Sequence, residues 1–128
     1  AGVYGAIRPK GPLDSPEEAG GIALETLVFQ QLRAINDYAE LGYSLHYWRT
    51  VLGEEVDFVL YGDRGICAFE VKSSSRLRDE DFRGLIRFRE DYPAARCYLL
   101  YPGTRRSHER GIEVLPLAEA LPELTKLL

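Results

Sequence analysis

The stretch Glu55–Ser74, EVDFVLYGDRGICAFEVKSS, constrains this chain more than any other. Two apolar runs flank the Gly-bounded turn Gly62-Asp63-Arg64-Gly65, which predicts a β-hairpin of Glu54–Tyr61 and Ile66–Lys72. A symmetric turn pairs residues whose numbers sum to 127, as Tyr61 with Ile66 does. Asp57 then lies across from Glu70, with the two Cβ atoms ~5 Å apart. Side chains alternate along a strand, so Lys72 shares the face of Glu70, and Val56, Phe58, Leu60, Phe69 and Val71 take the other. Two like charges in runs this apolar repel and lose solvation. A shared proton relieves that cost, and so does a divalent cation such as Mg²⁺ or Mn²⁺, which prefers carboxylate oxygens. The plain alternative is an exposed ion-pair cluster of little energetic weight.

The remaining elements follow from periodicity and punctuation. Ser15-Pro16-Glu17-Glu18 has the form of a capping box and opens a helix to about Ile35, with Gly20 and Gly21 marking a kink or a close contact. Leu24, Val28, Leu32 and Ile35 form its apolar face, and Glu25 falls inside that arc. Tyr43–Thr50, rich in aromatics, predicts a strand. Asp79–Tyr92 predicts a helix stopped by Pro93. Ala94–Tyr101 and Ile112–Leu115 predict strands, and Leu117–Leu128 a last helix limited by Pro122. The order is α-β-β-β-α-β-β-α, an α/β fold with a mixed central sheet flanked by helices. Residues 1–14 read as a linker and 15–128 as one domain. A chain of 128 residues, 45% hydrophobic and 28% charged, supports one buried core.

Composition narrows the function classes. No run reaches the ~18 apolar residues of a membrane helix, and no signal peptide is visible, so a cytoplasmic protein without membrane attachment is expected. The start at Ala1 and the absence of methionine fit a processed chain or an excised piece. Cys67 and Cys97 fall in predicted strands and read as buried reduced thiols. The formal net charge of -4 argues mildly against a dedicated nucleic-acid binder. Arginine nevertheless outnumbers lysine 13 to 3, and Arg76, Arg78, Arg83 and Arg87 follow the hairpin where a phosphate backbone would pass. Taken singly, each is an ordinary solvated arginine. His46 and His108 are too far apart in sequence to suggest a metal pair.

A carboxylate on a first helix, followed by D-(x)n-E-x-K across a hairpin, resembles the PD-(D/E)XK superfamily with its restriction-endonuclease-like core. Here the pattern is Glu25, Asp57 and Glu70-Val71-Lys72; Val56 stands where the superfamily name has Pro. The segments GGIALETLVFQQL, YWRTVLGEEVDFVL, FEVKSS, RGLIRF, YLLYPG and GIEVLPL resemble the C-terminal domain of unassigned function of bacterial and archaeal AAA-type ATPases. The chain has no phosphate-binding G-x-x-x-x-G-K-[ST] loop, so an ATPase module is expected upstream. The resemblance implies a Mg²⁺- or Mn²⁺-dependent endo- or exonuclease acting on DNA. Asp57, Glu70, the Val71 carbonyl and Glu25 are its implied metal ligands, and Lys72 completes the catalytic set. The alternative is a catalytically silent fold that binds DNA or a partner protein, or that assembles copies of the chain.

Overall fold

The computed structural model describes residues 16–128, with side chains from residue 20 onward. The 1–14 lead-in and the Ser15 cap lie outside the described residues. Helix α1 (Pro16–Tyr38) leads to strands β1 (Ser44–Arg49), β2 (Glu55–Gly62) and β3 (Gly65–Val71). A 3-10 turn (Asp79–Phe82) opens helix α2 (Arg83–Asp91). Strands β4 (Arg96–Tyr101), β5 (Ser107–Glu109) and β6 (Ile112–Pro116) follow. The chain closes with α3 (Leu117–Ala120), a 3-10 turn (Leu121–Glu123) and α4 (Leu124–Leu127). Pro122 therefore splits the last helix, as expected of a residue without an N–H. Strand β5 is an addition to the expected order. Its three residues are all exposed, so no alternation of apolar side chains marks it in sequence.

The six strands form one mixed sheet in the order β1-β2-β3-β4-β6-β5. β1, β2 and β3 are an antiparallel meander. β3, β4 and β6 run parallel, and β5 pairs antiparallel on the far edge. One face buries Phe58, Leu60, Phe69 and Val71 with Val28 and Leu32 of α1 and Leu117 and Leu124 of the C-terminal helices. The other face buries Val56, Val59, Ala68 and Leu99 with Leu85 and Phe88 of α2. The strands at the centre are apolar on both sides because both sides are covered. Trp48 packs edge-on against Phe88 at 5.3 Å. Cys67 and Cys97 are free and buried. They point into opposite layers, and burial pushes the Cys97 thiol up to about 12.

Two local features set the position of the hairpin. The side chain of Asn36, the chain's single asparagine, bonds both the N–H and the carbonyl of Tyr43, at 2.9 and 2.8 Å, and so locks the end of α1 to the start of β1. α1 runs unbroken through Gly20 and Gly21. A Cβ at Gly21 would meet only ordinary contact with Ser73, so neither a kink nor a forced approach explains the pair.

Gly84 is different. Any Cβ there would collide with the main-chain carbonyl of Glu55, so α2 lies against β2 at a distance that only glycine permits. Gly84→Ala is expected to destabilise the domain by ~1–3 kcal/mol, the usual cost of overpacking. A lowered urea midpoint with an unchanged slope would register that effect. A midpoint equal to wild type would mean that α2 can shift away at no cost.

Candidate active site

The observed β2–β3 register pairs Phe58 with Phe69, Tyr61 with Ile66 and Gly62 with Gly65, the arrangement expected from the turn. The ladder then stops at Asp57 and Glu70, and side chains replace main-chain partners. The Asp57 N–H donates to Glu70 Oε1 at 3.2 Å, and the Val71 N–H donates to Asp57 Oδ2 at 2.8 Å. Each acid is thereby fixed by the opposite strand.

The cause lies one strand away. Between the pairs His46–Val59 and Trp48–Val56, β1 advances two residues while β2 advances three. The extra residue of this bulge lies at Asp57–Phe58 and re-aims the strand. Val56 accordingly joins the layer under α2, while Phe58 stays in the layer under α1. This corrects the strict alternation that put both on one face. A bulge depends on the partner strand, and β2 alone does not disclose it.

Glu70 is 6% exposed; Asp57 is half-buried. Burial raises Asp57 well above the usual carboxylate range, and the charge of Glu70 and its hydrogen bond push the same way. Burial also raises Glu70, against the opposing pull of its hydrogen bond from Asp57 and the charge of Lys72. The two carboxyl side chains also hydrogen-bond to each other. Glu25 on α1 adds a small push to the rise of Glu70 through its charge.

Lys72 Nζ stands 3.7 Å from Glu70 Oε2 and 3.9 Å from Asp81 Oδ1. Burial pulls the ammonium down, but Glu70, Asp57 and Asp81 together outweigh it, and the net direction is up. The Lys72 N–H donates to Leu100 of β4 at 2.9 Å, which ties this residue to the parallel half of the sheet. Asp81 is a site residue that sequence reading missed. It sits in the 3-10 turn before α2, and its other oxygen accepts the Arg78 N–H at 2.9 Å. The three acids at 79–81 look like an ordinary negatively charged helix start; nothing in them points at Lys72.

A cleft of about 240 Å³ opens onto Glu70 and Lys72 and is bounded by Glu54, Glu55, Glu80 and Arg83. A neighbouring cavity of about 310 Å³ shares Glu54, Glu80 and Arg83 with it and adds Arg87 and Arg110. The expected phosphate-binding arginines separate here. Arg83 faces both clefts, and Arg76 is exposed beside Ser74, whose hydroxyl accepts the Arg76 N–H at 3.2 Å. Arg78 pairs with Glu80 at 3.3 Å. Arg87 is gripped by Asp91 at 2.8 Å, with Glu90 and Glu54 at 3.8 and 3.9 Å. Arg110 binds Asp79 at 3.0 Å and lies over the Phe82 ring. His46 and His108 lie on β1 and β5 at opposite sheet edges, so they form no pair.

The oxygen-only donor set of Asp57 and Glu70 suits a hard divalent cation. Two carboxyls within hydrogen-bond reach of each other are also close enough to share such an ion. Among the described residues, however, no group of three His, Cys, Asp or Glu side chains converges as a ready-made metal site. The pair fits two ligands of an ion, and Glu25 contributes charge. Among the described residues no helix is long and apolar enough to cross a membrane.

Against known sequences, residues 20–120 match one family, DUF4143, described as a domain of unknown function. That span holds all six segments on which the sequence resemblance rests. No curated protein matches the chain.

Proposed function

The chain belongs to the DUF4143 family, and from that premise we propose that its site is that of a metal-dependent nuclease acting on DNA phosphodiester bonds. The proposal includes a restriction-endonuclease-like core of the PD-(D/E)XK type and a place as the C-terminal part of a larger ATPase. One observation carries the reading. The β2–β3 ladder is interrupted so that a half-buried Asp57 and a buried Glu70 face each other, with Lys72 3.7 Å from Glu70 at an open cleft. A solely structural hairpin gains nothing from that substitution of costly side chains for cheap main-chain bonds.

In this reading Asp57 and Glu70 hold Mg²⁺ or Mn²⁺, with the Val71 carbonyl as a further ligand and Glu25 acting directly or through water. An ion held there would supply an activated water and would neutralise phosphate charge. Lys72 orients the attacking water or offsets charge on the scissile phosphate. Asp81 and Glu70 hold its ammonium between them. Arg83 and Arg76 bear on the flanking phosphates, since Arg78 and Arg87 are engaged by acids of their own helix region.

A silent binding module is the second reading. The self-neutralised arginines and the lack of three converging donors among the described residues favour it. Two measurements test the choice. Calorimetry is expected to show Mn²⁺ binding that Asp57→Asn largely abolishes; no heat at millimolar Mn²⁺ would remove the metal site. Incubation of the chain, alone and joined to its ATPase, with single-stranded, duplex and branched DNA and with RNA in Mn²⁺ is expected to yield cut DNA. Intact substrates throughout, with ATP present, would leave the binding module as the better reading.

A further inference from the structure

Asp79, Glu80 and Asp81 follow one another in the 3-10 turn before α2, and the fold sends them three ways. Asp79 meets Arg110 at 3.0 Å, and Glu80 meets Arg78 at 3.3 Å. Asp81 turns to the site, with Oδ1 3.9 Å from Lys72 Nζ. Its direction is fixed locally. Oδ2 accepts the Arg78 N–H at 2.9 Å, and the Asp81 N–H donates back to the Arg78 carbonyl at 3.0 Å. The Asp81 side chain is sheltered, at 20% exposure against 91% for Asp79. Lys72 therefore stands between two acids that differ in kind. Glu70, at 3.7 Å, is hydrogen-bonded with Asp57 and forms half of the paired carboxyls. Asp81 takes its orientation from the main chain of its own turn and owes nothing to that pair.

We propose that Asp81 is a positioning residue that takes Lys72 over from Glu70 when a divalent cation occupies the Asp57–Glu70 pair, and so keeps the ammonium at the cleft. This rests on the metal-dependent reading of the site and adds to it which acid holds Lys72 in the loaded state. The reason is charge. Without metal, Glu70 and Asp81 attract the ammonium together. Once Glu70 gives its charge to a doubly charged cation, Lys72 faces net positive charge on that side, and Coulomb repulsion at this range is substantial. Lysine carries a compact charge on a flexible stem, and Lys72 opens onto the cleft, so with no second anchor its ammonium swings out to solvent. Asp81 supplies that anchor, because a cation at the pair leaves its own support from Arg78 untouched. Outer partners of this kind typically contribute ~10–100-fold to activity. The negative charge of Asp81 works by itself against an anionic substrate, so its benefit runs through Lys72.

The lysines are Lys10, Lys72 and Lys126 alone, so the lysine Hε–Cε NMR signals of the whole chain are few, and Lys72→Ala assigns the one needed. A held ammonium keeps its two Hε shifts distinct; a free one averages them. In wild type the Lys72 pair is expected to stay split at saturating Mg²⁺. In Asp81→Asn, whose amide carbonyl still accepts the Arg78 N–H, the pair is expected to be split without Mg²⁺ and to collapse with it. Asp81→Ser, which also keeps an oxygen for that N–H, is expected to do the same and stands in if the amide variant melts early. Asp79→Asn removes a nearby charge and should behave as wild type. In DNA cleavage with Mn²⁺, Asp81→Asn is expected to lose ~10–100-fold in kcat with no rise in KM, and to cost nothing further in a Lys72→Ala background. A pair that stays split with Mg²⁺ in both Asp81 variants, or collapses in wild type, overturns the handover and leaves the metal site standing. No Mg²⁺-induced shift in wild type overturns both. The expected collapse in a chain that cuts no substrate keeps the handover and removes the nuclease.

Discussion

Lys72→Ala is expected to abolish most Mn²⁺-dependent cleavage while leaving the fold and the metal site in place. Removing one positioned charge from a transition state typically costs ~10²–10³-fold in rate. Lys72 is well placed to be such a group. Its side chain is 31% exposed at the cleft, so it can meet substrate, yet its ammonium is held by Glu70 and Asp81 and its main chain by β4. Asp57 and Glu70 keep the main-chain N–H donors that orient them, so Mn²⁺ binding should survive the substitution. The decisive result is the pairing of retained calorimetric binding with lost cleavage. If the variant cuts at the wild-type rate, Lys72 merely balances charge.

The second large effect concerns stability, and its sign is opposite to that of function. Both acids titrate higher in the folded protein than in the unfolded chain, where carboxylates ionise near pH ~4. Between those ranges the folded state holds more protons than the unfolded state. Metal-free stability therefore falls as pH rises from the ordinary carboxylate range through the raised folded values, and it levels off beyond them. The rise of Lys72 acts only at alkaline pH, where deprotonation removes its contribution. Asp57→Asn replaces one of the two opposed carboxyls with an amide whose N–H can donate to Glu70, while its carbonyl still accepts the Val71 N–H. At pH 8 without metal the variant should be more stable by about 1 kcal/mol, the usual net worth of one gained hydrogen bond, and its decline with pH should be flatter. Thermal melts from pH 4 to pH 8 measure both. A less stable variant at pH 8 would mean that the two acids do not oppose each other.

Much of this site is legible in the chain because it depends on local geometry. A four-residue turn fixes a register, and the register sets Asp57 against Glu70. The 3.6-residue period of α1 likewise sets Val28 and Leu32 into the core. What the chain conceals depends on contacts distant in sequence. The bulge at Asp57 exists only relative to β1. Asp81 reaches Lys72 only after the segment between β3 and α2 has folded back. Arg87 looks like a phosphate contact until Glu54, 33 positions earlier in number, comes alongside it. Strand β5 owes its existence to the edge of β6 and buries nothing of its own.

The sheet joins a local half to a non-local half, and this division orders events during folding. The β1–β2–β3 meander closes through two tight turns, so its contacts cost little loop entropy and are expected to form early. Asp57 and Glu70 then meet while still in water, where their repulsion is weak. The pair is sealed only when α2 docks on β2 at Gly84 and β4 takes the outer edge of β3. Their electrostatic penalty is consequently expected to arise late in assembly. Ionising the acids thus speeds opening of the native state and hardly slows its formation, which makes the metal-free site a brake on lifetime rather than on folding.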